Sequence, residues 1–292
     1  MHTATAESSA SSTRRSAPNE SRRVLAHLMA STILPASLVR ETRVEAIASV
    51  VSHAGAGLPM RVLALVADAG MVLFAIDDLL DEQTLTAEDA ALRIEQYTAV
   101  ARGELCPEVA FDPIARAITD VRRRLAFTDL RGDLLEVWAD AMVRMLAGMR
   151  AELPGEAERA ERDLEAYLDT ARDSIGVTWI ALTAWIATGA WATRAHLPAL
   201  QAATRSFATA VRLANDLRTC DRERAEGRVN AVTLVGDDGL ADLRDRCDRA
   251  LADGRAALAR AEVADTDQGR FVERFATAIV TMYDTRDFAQ AA

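Results

Sequence analysis

Arg212-Leu-Ala-Asn-Asp-Leu-Arg-Thr-Cys-Asp-Arg-Glu223 runs on through Arg-Ala-Glu-Gly227-Arg-Val-Asn230. Asn215, Thr219 and Glu223 stand at every fourth position. On a helix this spacing stacks them on one face, each step rising roughly 6 Å. An amide oxygen, a hydroxyl and a carboxylate in line form a hard, all-oxygen ligand set that suits Mg²⁺ rather than zinc or copper. Arg212 precedes Asn215 by three residues and Arg222 adjoins Glu223, so guanidinium groups border the stripe. A cation site beside arginines fits a metal-bound phosphate or diphosphate.

The stripe requires a helix, and the rest of the chain agrees. Hydrophobic residues make up 50% of the 292, enough for a large core. Ala and Leu outnumber Val, Ile and Thr, which favours helix over strand. Helix-period segments follow one another at 20–33, 38–53, 59–80, 86–102, 112–126, 130–152, 156–193, 197–226, 239–261 and 267–289. Pro35, Pro59, Pro107, Pro113, Pro154 and Pro198 fall in or near the breaks. No stretch alternates at period two, and no linker divides the chain after residue 20. We therefore expect an all-α, single-domain antiparallel bundle over residues 20–292, preceded by a disordered tail at 1–19. That tail is rich in Ser, Thr, Ala and Arg and has no apolar run to serve as a secretory signal.

A second acidic element supplies the partner. The apolar run Met71–Ile76 leads into Asp77-Asp-Leu-Leu-Asp-Glu82. Asp77 and Asp81 share a helix face, and Asp78 and Glu82 form the adjacent pair. Acids at a helix C-terminus oppose the macrodipole, and like charges at i,i+4 repel. Such a local conflict is relieved when a cation binds, and conflicts of this kind cluster at functional sites. Alone, the segment reads as well as a solvated helix end; with the stripe at 215–223 it becomes one half of a metal site.

Together the two motifs resemble those of class I terpene synthases. Asp77, Asp78 and Asp81 match the family's DDxxD, and Asn215, Thr219 and Glu223 match its (N/D)DxxSxxxE with Thr for Ser. The resemblance implies an α-helical bundle around an apolar cavity, with three Mg²⁺ ions held between the motifs on the substrate's diphosphate. Arg212, Asn215, Asp216, Gly227, Asn230 and Ala231 are similar to elements of kaurene synthases and other labdane-related diterpene synthases. That likeness implies a bicyclic copalyl-type diphosphate made by a separate class II cyclase; direct cyclisation of geranylgeranyl or farnesyl diphosphate is the alternative. The family also implies a diphosphate-sensing arginine before a helix break, for which Arg172 and Gly176 are the candidates. The position between them, commonly acidic, is Ile175 here. Tyr283 and Arg286 occupy the last helix, where the family often places an Arg-Tyr pair over the diphosphate; here they are not adjacent and their order is reversed.

Aromatic residues are few, and several lie near the motifs. A carbocation is stabilised over an aromatic face, which makes Phe74 and Trp179 candidate lining residues. Arg172, Arg212, Arg222 and Asn230 are the candidate substrate-binding groups. His53 and His196 have no ligand-spaced partner and read as structural or exposed.

Composition weighs against other classes. The net charge of -10 argues against a nucleic-acid partner. No run of eighteen apolar residues suggests a membrane span. Cys106, Cys220 and Cys247 lack paired spacing and read as reduced thiols, in keeping with a cytoplasmic protein. A homodimer is compatible with the pattern. An isoprenyl diphosphate synthase shares the helical fold but uses two DDxxD motifs and substrate-binding lysines; this chain has one such motif and no lysine. A non-catalytic helical binder would be expected to lose metal ligands, and none is missing. The class II motif DxDD is absent, so the reaction should begin by ionisation and not by protonation.

Overall fold

The computed structural model describes residues 7–81, 85–129, 132–153, 163–286 and 288, with side chains from Asn19 onward except that of Asp81. Eleven α-helices account for most of the described residues, and no strand occurs among them. They are α1 (Glu7–Ala30), α2 (Glu41–Ala54), α3 (Met60–Asp81), α4 (Ala87–Arg102), α5 (Pro113–Ala126), α6 (Asp133–Ala151), α7 (Leu164–Ser174), α8 (Val177–Ala225), α9 (Ala231–Val235), α10 (Leu240–Arg260) and α11 (Asp267–Tyr283). The backbone of α1 begins at Glu7 and so includes much of the stretch that composition assigned to a tail.

Local chemistry fixes many of the helix starts. Thr86, Asp112, Asp163 and Thr266 each accept a hydrogen bond from a backbone N–H in the first turn of the helix they precede. In α5, Ile114, Ala117, Ile118, Val121 and Leu125 face inward at helical spacing, while Arg116 and Arg123 face out. α3 is apolar around most of its circumference. It is accordingly a core helix, with Val62, Val66, Ala67, Ala69, Val72 and Ile76 sealed from solvent.

α8 is the axis of the bundle, packing mainly on α10 and α11 and also on α3, α7 and α6. Trp138 and Trp179 pack with tilted rings, centroids 5.4 Å apart, between α6 and α8, and the Trp138 indole donates to Thr183 Oγ1 at 2.9 Å. The Trp185 indole donates to the Gln268 carbonyl at 3.0 Å, tying α8 to α11. Residues 164–225 include a window long and apolar enough to cross a membrane, but 67% of it is buried within the bundle. It is the core of a helical protein.

One break differs from the sequence reading. The expected gap between 193 and 197 is absent: Pro198 lies inside α8, and the interruption is at Gly189 instead, where the backbone is extended. The Thr193 hydroxyl lies 2.9 Å from the Trp185 carbonyl and 3.0 Å from that of Gly189, offering a donor where the helix ladder is disturbed. A second break, at Ile175–Gly176, splits the periodic 156–193 segment into α7 and α8 at the position where the resemblance implied one.

Candidate active site

The two acidic motifs face each other across a cavity of about 400 Å³ bounded by α2, α3, α8 and α11. Asp77 and Asp78 line it from the end of α3, and Arg212, Asn215, Arg222 and Glu223 line it from α8. Deeper down the wall is apolar, with Ile47, Val66, Leu73, Ile180, Val211 and Phe275. A polar mouth over an apolar floor suits a ligand with a charged head and a hydrocarbon tail.

On the α8 side, the carboxylate of Glu223 is fixed from behind. Asn230 is sealed from solvent, and its Nδ2 donates to Glu223 Oε2 at 2.7 Å and to the Asp216 carbonyl at 2.9 Å. Its Oδ1 accepts from Val232 N at 2.8 Å and so caps α9. The Gly227–Ala231 segment therefore supports the Glu223 carboxylate; its asparagine does not reach the cavity wall. Thr219 is likewise buried, its hydroxyl donating to the Asn215 carbonyl at 2.8 Å. Helical Thr commonly makes this back-bond, and the hydroxyl would have to rotate to meet a cation.

Asp216 and Arg212 form a buried charged network next to this stripe. Arg212 Nε lies 2.9 Å from Asp216 Oδ1, and its Nη1 donates to Glu152 Oε1 at 2.9 Å and to Ser174 Oγ at 3.3 Å. Tyr167 donates to Asp216 Oδ2 at 2.8 Å and accepts from Arg212. Ala231 N also donates to Asp216 Oδ2, at 3.1 Å. Burial lifts the Asp216 carboxyl to about 7; the nearby Arg212 charge opposes the rise and Glu223 adds to it. Arg212, expected to bind diphosphate, thus lines the cavity but commits its donors to Glu152, Asp216, Tyr167 and Ser174. Tyr167, Ser174 and Glu152 were not legible as members of this network, because they reach α8 from α7 and from just past α6 across large sequence separations.

The sensor candidates divide. Gly176 is at the helix break with φ 74°, and a Cβ there would come within 2.8 Å of Leu73. Ile175 and Ser174 reach the cavity wall. Arg172 does not line the cavity; its guanidinium pairs with Asp169 one turn earlier at 2.6 Å. Trp179 also lies away from the wall, sealed against Trp138, because its position on α8 faces α6. Phe74 does line the cavity, tilted against Phe288 at 4.6 Å, and Tyr283 lines it with its ring edge-on to Phe288 at 6.0 Å. Asp81 ends α3, but its side chain and Glu82 lie outside the described residues.

Sequence reading missed the cations that meet the α3 carboxylates. Arg43 Nη2 donates to Asp78 Oδ1 at 3.1 Å and reaches Asp77 Oδ2 at 3.5 Å; Arg40 Nε lies 3.0 Å from Asp78 Oδ2. Arg43 also stacks over the Phe74 ring at 4.3 Å. No motif marks these arginines, which stand at the start of α2.

Among the described residues no three His, Cys, Asp or Glu side chains gather around one point. A cation here would draw on one or two carboxylates, the Asn215 amide, water and ligand oxygens. That is the donor set Mg²⁺ favours, with substrate phosphate completing the sphere. The oxygen-only donors and the braced Glu223 fit such an ion.

The family model described as terpene synthase family 2, C-terminal metal binding, matches residues 68–260, which include both motifs and about two thirds of the chain. Among solved structures, linalool/nerolidol synthase from Streptomyces clavuligerus is similar at 19% identity and TM-score 0.70, covering 91% of this chain and 96% of that one. 2-Methylisoborneol synthase from Streptomyces coelicolor A3(2), in complex with Mg²⁺ and 2-fluoroneryl diphosphate, is similar at 15% identity and TM-score 0.73, covering 91% and 90%. Germacradien-4-ol synthase from Streptomyces citricolor aligns at 21% identity and TM-score 0.63, covering 93% and 92%. No curated protein matches the chain in sequence.

Proposed function

From the premise that the chain belongs to terpene synthase family 2, we propose that this terpene synthase ionises an allylic prenyl diphosphate with Mg²⁺ and cyclises or rearranges the resulting cation. The observation that carries the reading is one shared cavity with Asp77 and Asp78 on one rim, Asn215 and Glu223 on the other, and an apolar floor between them.

Asp77, Asp81, Asn215, Thr219 and Glu223 would hold the metal, and Asn230 keeps the Glu223 carboxylate turned for it. Bound Mg²⁺ supplies Lewis-acid neutralisation of the diphosphate as the C–O bond ionises, the electron pair leaving with the phosphate oxygen. Arg222 lines the same mouth and is placed to bind that anion. The apolar wall folds the hydrocarbon and keeps water from quenching the cation early. Phe74 presents a ring to the cavity that can stabilise positive charge. Loss of a proton to the departing diphosphate, or capture of water, ends the reaction.

For the substrate we place a linear prenyl diphosphate ahead of a bicyclic C20 one. The copalyl-type reading rests on the Gly227–Ala231 segment, and in the fold Asn230 of that segment serves Glu223 and α9. Solved 2-methylisoborneol synthase structures hold geranyl-S-thiolodiphosphate or 2-fluoroneryl diphosphate, both linear. A bicyclic substrate would require a class II cyclase as partner. Free thiols at Cys106, Cys220 and Cys247 support a cytoplasmic location.

The test is incubation with Mg²⁺ and, separately, geranyl, farnesyl, geranylgeranyl and copalyl-type diphosphates, with extracts read by gas chromatography–mass spectrometry. We expect terpene from a linear substrate. Product from the bicyclic diphosphate alone would restore the labdane-related assignment, and no product from any of them would overturn the function.

A further inference from the structure

Arg43 is 9% exposed, yet it lines the cavity. Its Nη2 is shared between Asp78 and Asp77, its guanidinium lies over Phe74, and its Nε–H has no hydrogen-bond partner. Arg40, one turn earlier on the approach to α2, pairs with the other oxygen of Asp78. A buried N–H donor without an acceptor is destabilising, and native proteins rarely keep one without cause. A purely structural ion pair would satisfy that donor or place it away from a ligand cavity.

The carboxylates that Arg43 engages are those through which the α3 motif would hold a divalent cation. A guanidinium and a doubly charged ion cannot both sit against the same carboxylate oxygens without strong repulsion. Cation binding therefore has to move the arginine, and the planar fork already borders the mouth where a diphosphate would lie.

Building on the function proposed above, we propose that Arg43 is a diphosphate-binding residue held in reserve. In the ion-free chain it stands in for the metal at Asp77 and Asp78 and for positive charge over Phe74. When Mg²⁺ takes the carboxylates, Arg43 passes to the substrate's diphosphate, to which its Nε–H and Nη groups can donate together. Metal and diphosphate then assist one another: each is bound more weakly alone, because the metal must displace an arginine that only the diphosphate accepts.

The test is calorimetric titration of the full chain with Mn²⁺ alone and with Mn²⁺–pyrophosphate, for wild type, Arg43→Met and Arg43→Lys. Met keeps the aliphatic stem on Phe74 and removes the competing charge. We expect Arg43→Met to bind Mn²⁺ alone about tenfold more tightly and Mn²⁺–pyrophosphate about tenfold more weakly, each the scale of one charge-assisted hydrogen bond. Arg43→Lys should bind Mn²⁺ alone as wild type does, yet lose part of the pyrophosphate advantage, since an ammonium lacks the fork. Should Arg43→Met fail to fold by circular dichroism, the Lys variant decides. Wild-type values in the folded variants overturn the role of Arg43 and leave the function standing. A wild-type protein that binds neither Mn²⁺ nor Mn²⁺–pyrophosphate overturns the function itself.

Discussion

Asn230 Nδ2 sits 2.7 Å from Glu223 Oε2, and the same side chain caps α9 through its Oδ1. One buried amide thus orients the Glu223 carboxylate, the proposed metal ligand, and starts a helix. Asn230→Ala should lose both functions, costing about 1 kcal/mol for the cap alone and more for the carboxylate left without its donor. Asn230→Asp keeps an acceptor for the cap but sets a second negative charge against Glu223. Urea titration should find Asp the more damaging of the two near neutral pH in the absence of metal. Equal stability of all three proteins would show that the contact does not matter.

Asp216 gives the metal-free protein a specific pH response. Burial, opposed by Arg212 and aided by Glu223, raises its carboxyl from 3.8 to about 7. Between those values the native state holds a proton that the unfolded chain has released. The stability due to this group is therefore complete below the lower value and is lost as pH rises through the upper one. Denaturation in EDTA at the two ends of this window should show that decline, and Asp216→Asn should flatten it. A variant with the wild-type slope would assign the decline to another group.

Asn215 is half-buried on α8 and lines the cavity wall. Asn215→Ala should lower kcat by roughly 10²–10³-fold, the loss of one polar stabiliser of a developing anion. Far-ultraviolet circular dichroism should be unchanged. Full turnover in this variant and in Asp77→Ala would remove the metal motifs from the mechanism.

Phe74 and Trp179 were equal candidates for the cavity wall, but only Phe74 lines it; Trp179 is sealed against Trp138. Phe74→Leu should redistribute the terpene products, because the cation loses an aromatic face and the floor changes shape. Trp179→Phe should lower the melting temperature through the void it leaves while the product pattern stays the same. Gas chromatography of both variants against thermal melts separates the roles, and the reverse pattern would exchange them.

Gly176 joins α7 to α8 at φ 74°, in the left-handed region. Gly176→Ala should cost about 1–2 kcal/mol from the backbone alone, with further loss because its Cβ would press on Leu73 at 2.8 Å. Chemical denaturation measures the first effect. A neutral substitution would mean that the junction relaxes to another conformation without cost.

The sequence by itself determined what depends on local spacing. Helical periodicity, the absence of alternation and the prolines near the breaks established an all-α chain. The i,i+4 register placed Asn215, Thr219 and Glu223 on one face, and the acidic end of α3 marked its partner. These follow from the backbone geometry of a single helix, which neighbouring residues dictate. Tertiary structure decided everything that depends on which helix faces which. Arg172, a sensor candidate by position, turns to Asp169, and Trp179 turns into the core. Arg212 is drawn into a buried network with Glu152 and Asp216. Arg40 and Arg43, unmarked in the sequence, meet the α3 carboxylates because α2 packs along α3. A side chain's partner across a bundle is set by packing between distant segments, where no local spacing rule operates, and so the counter-charges of this site emerged only from the folded chain.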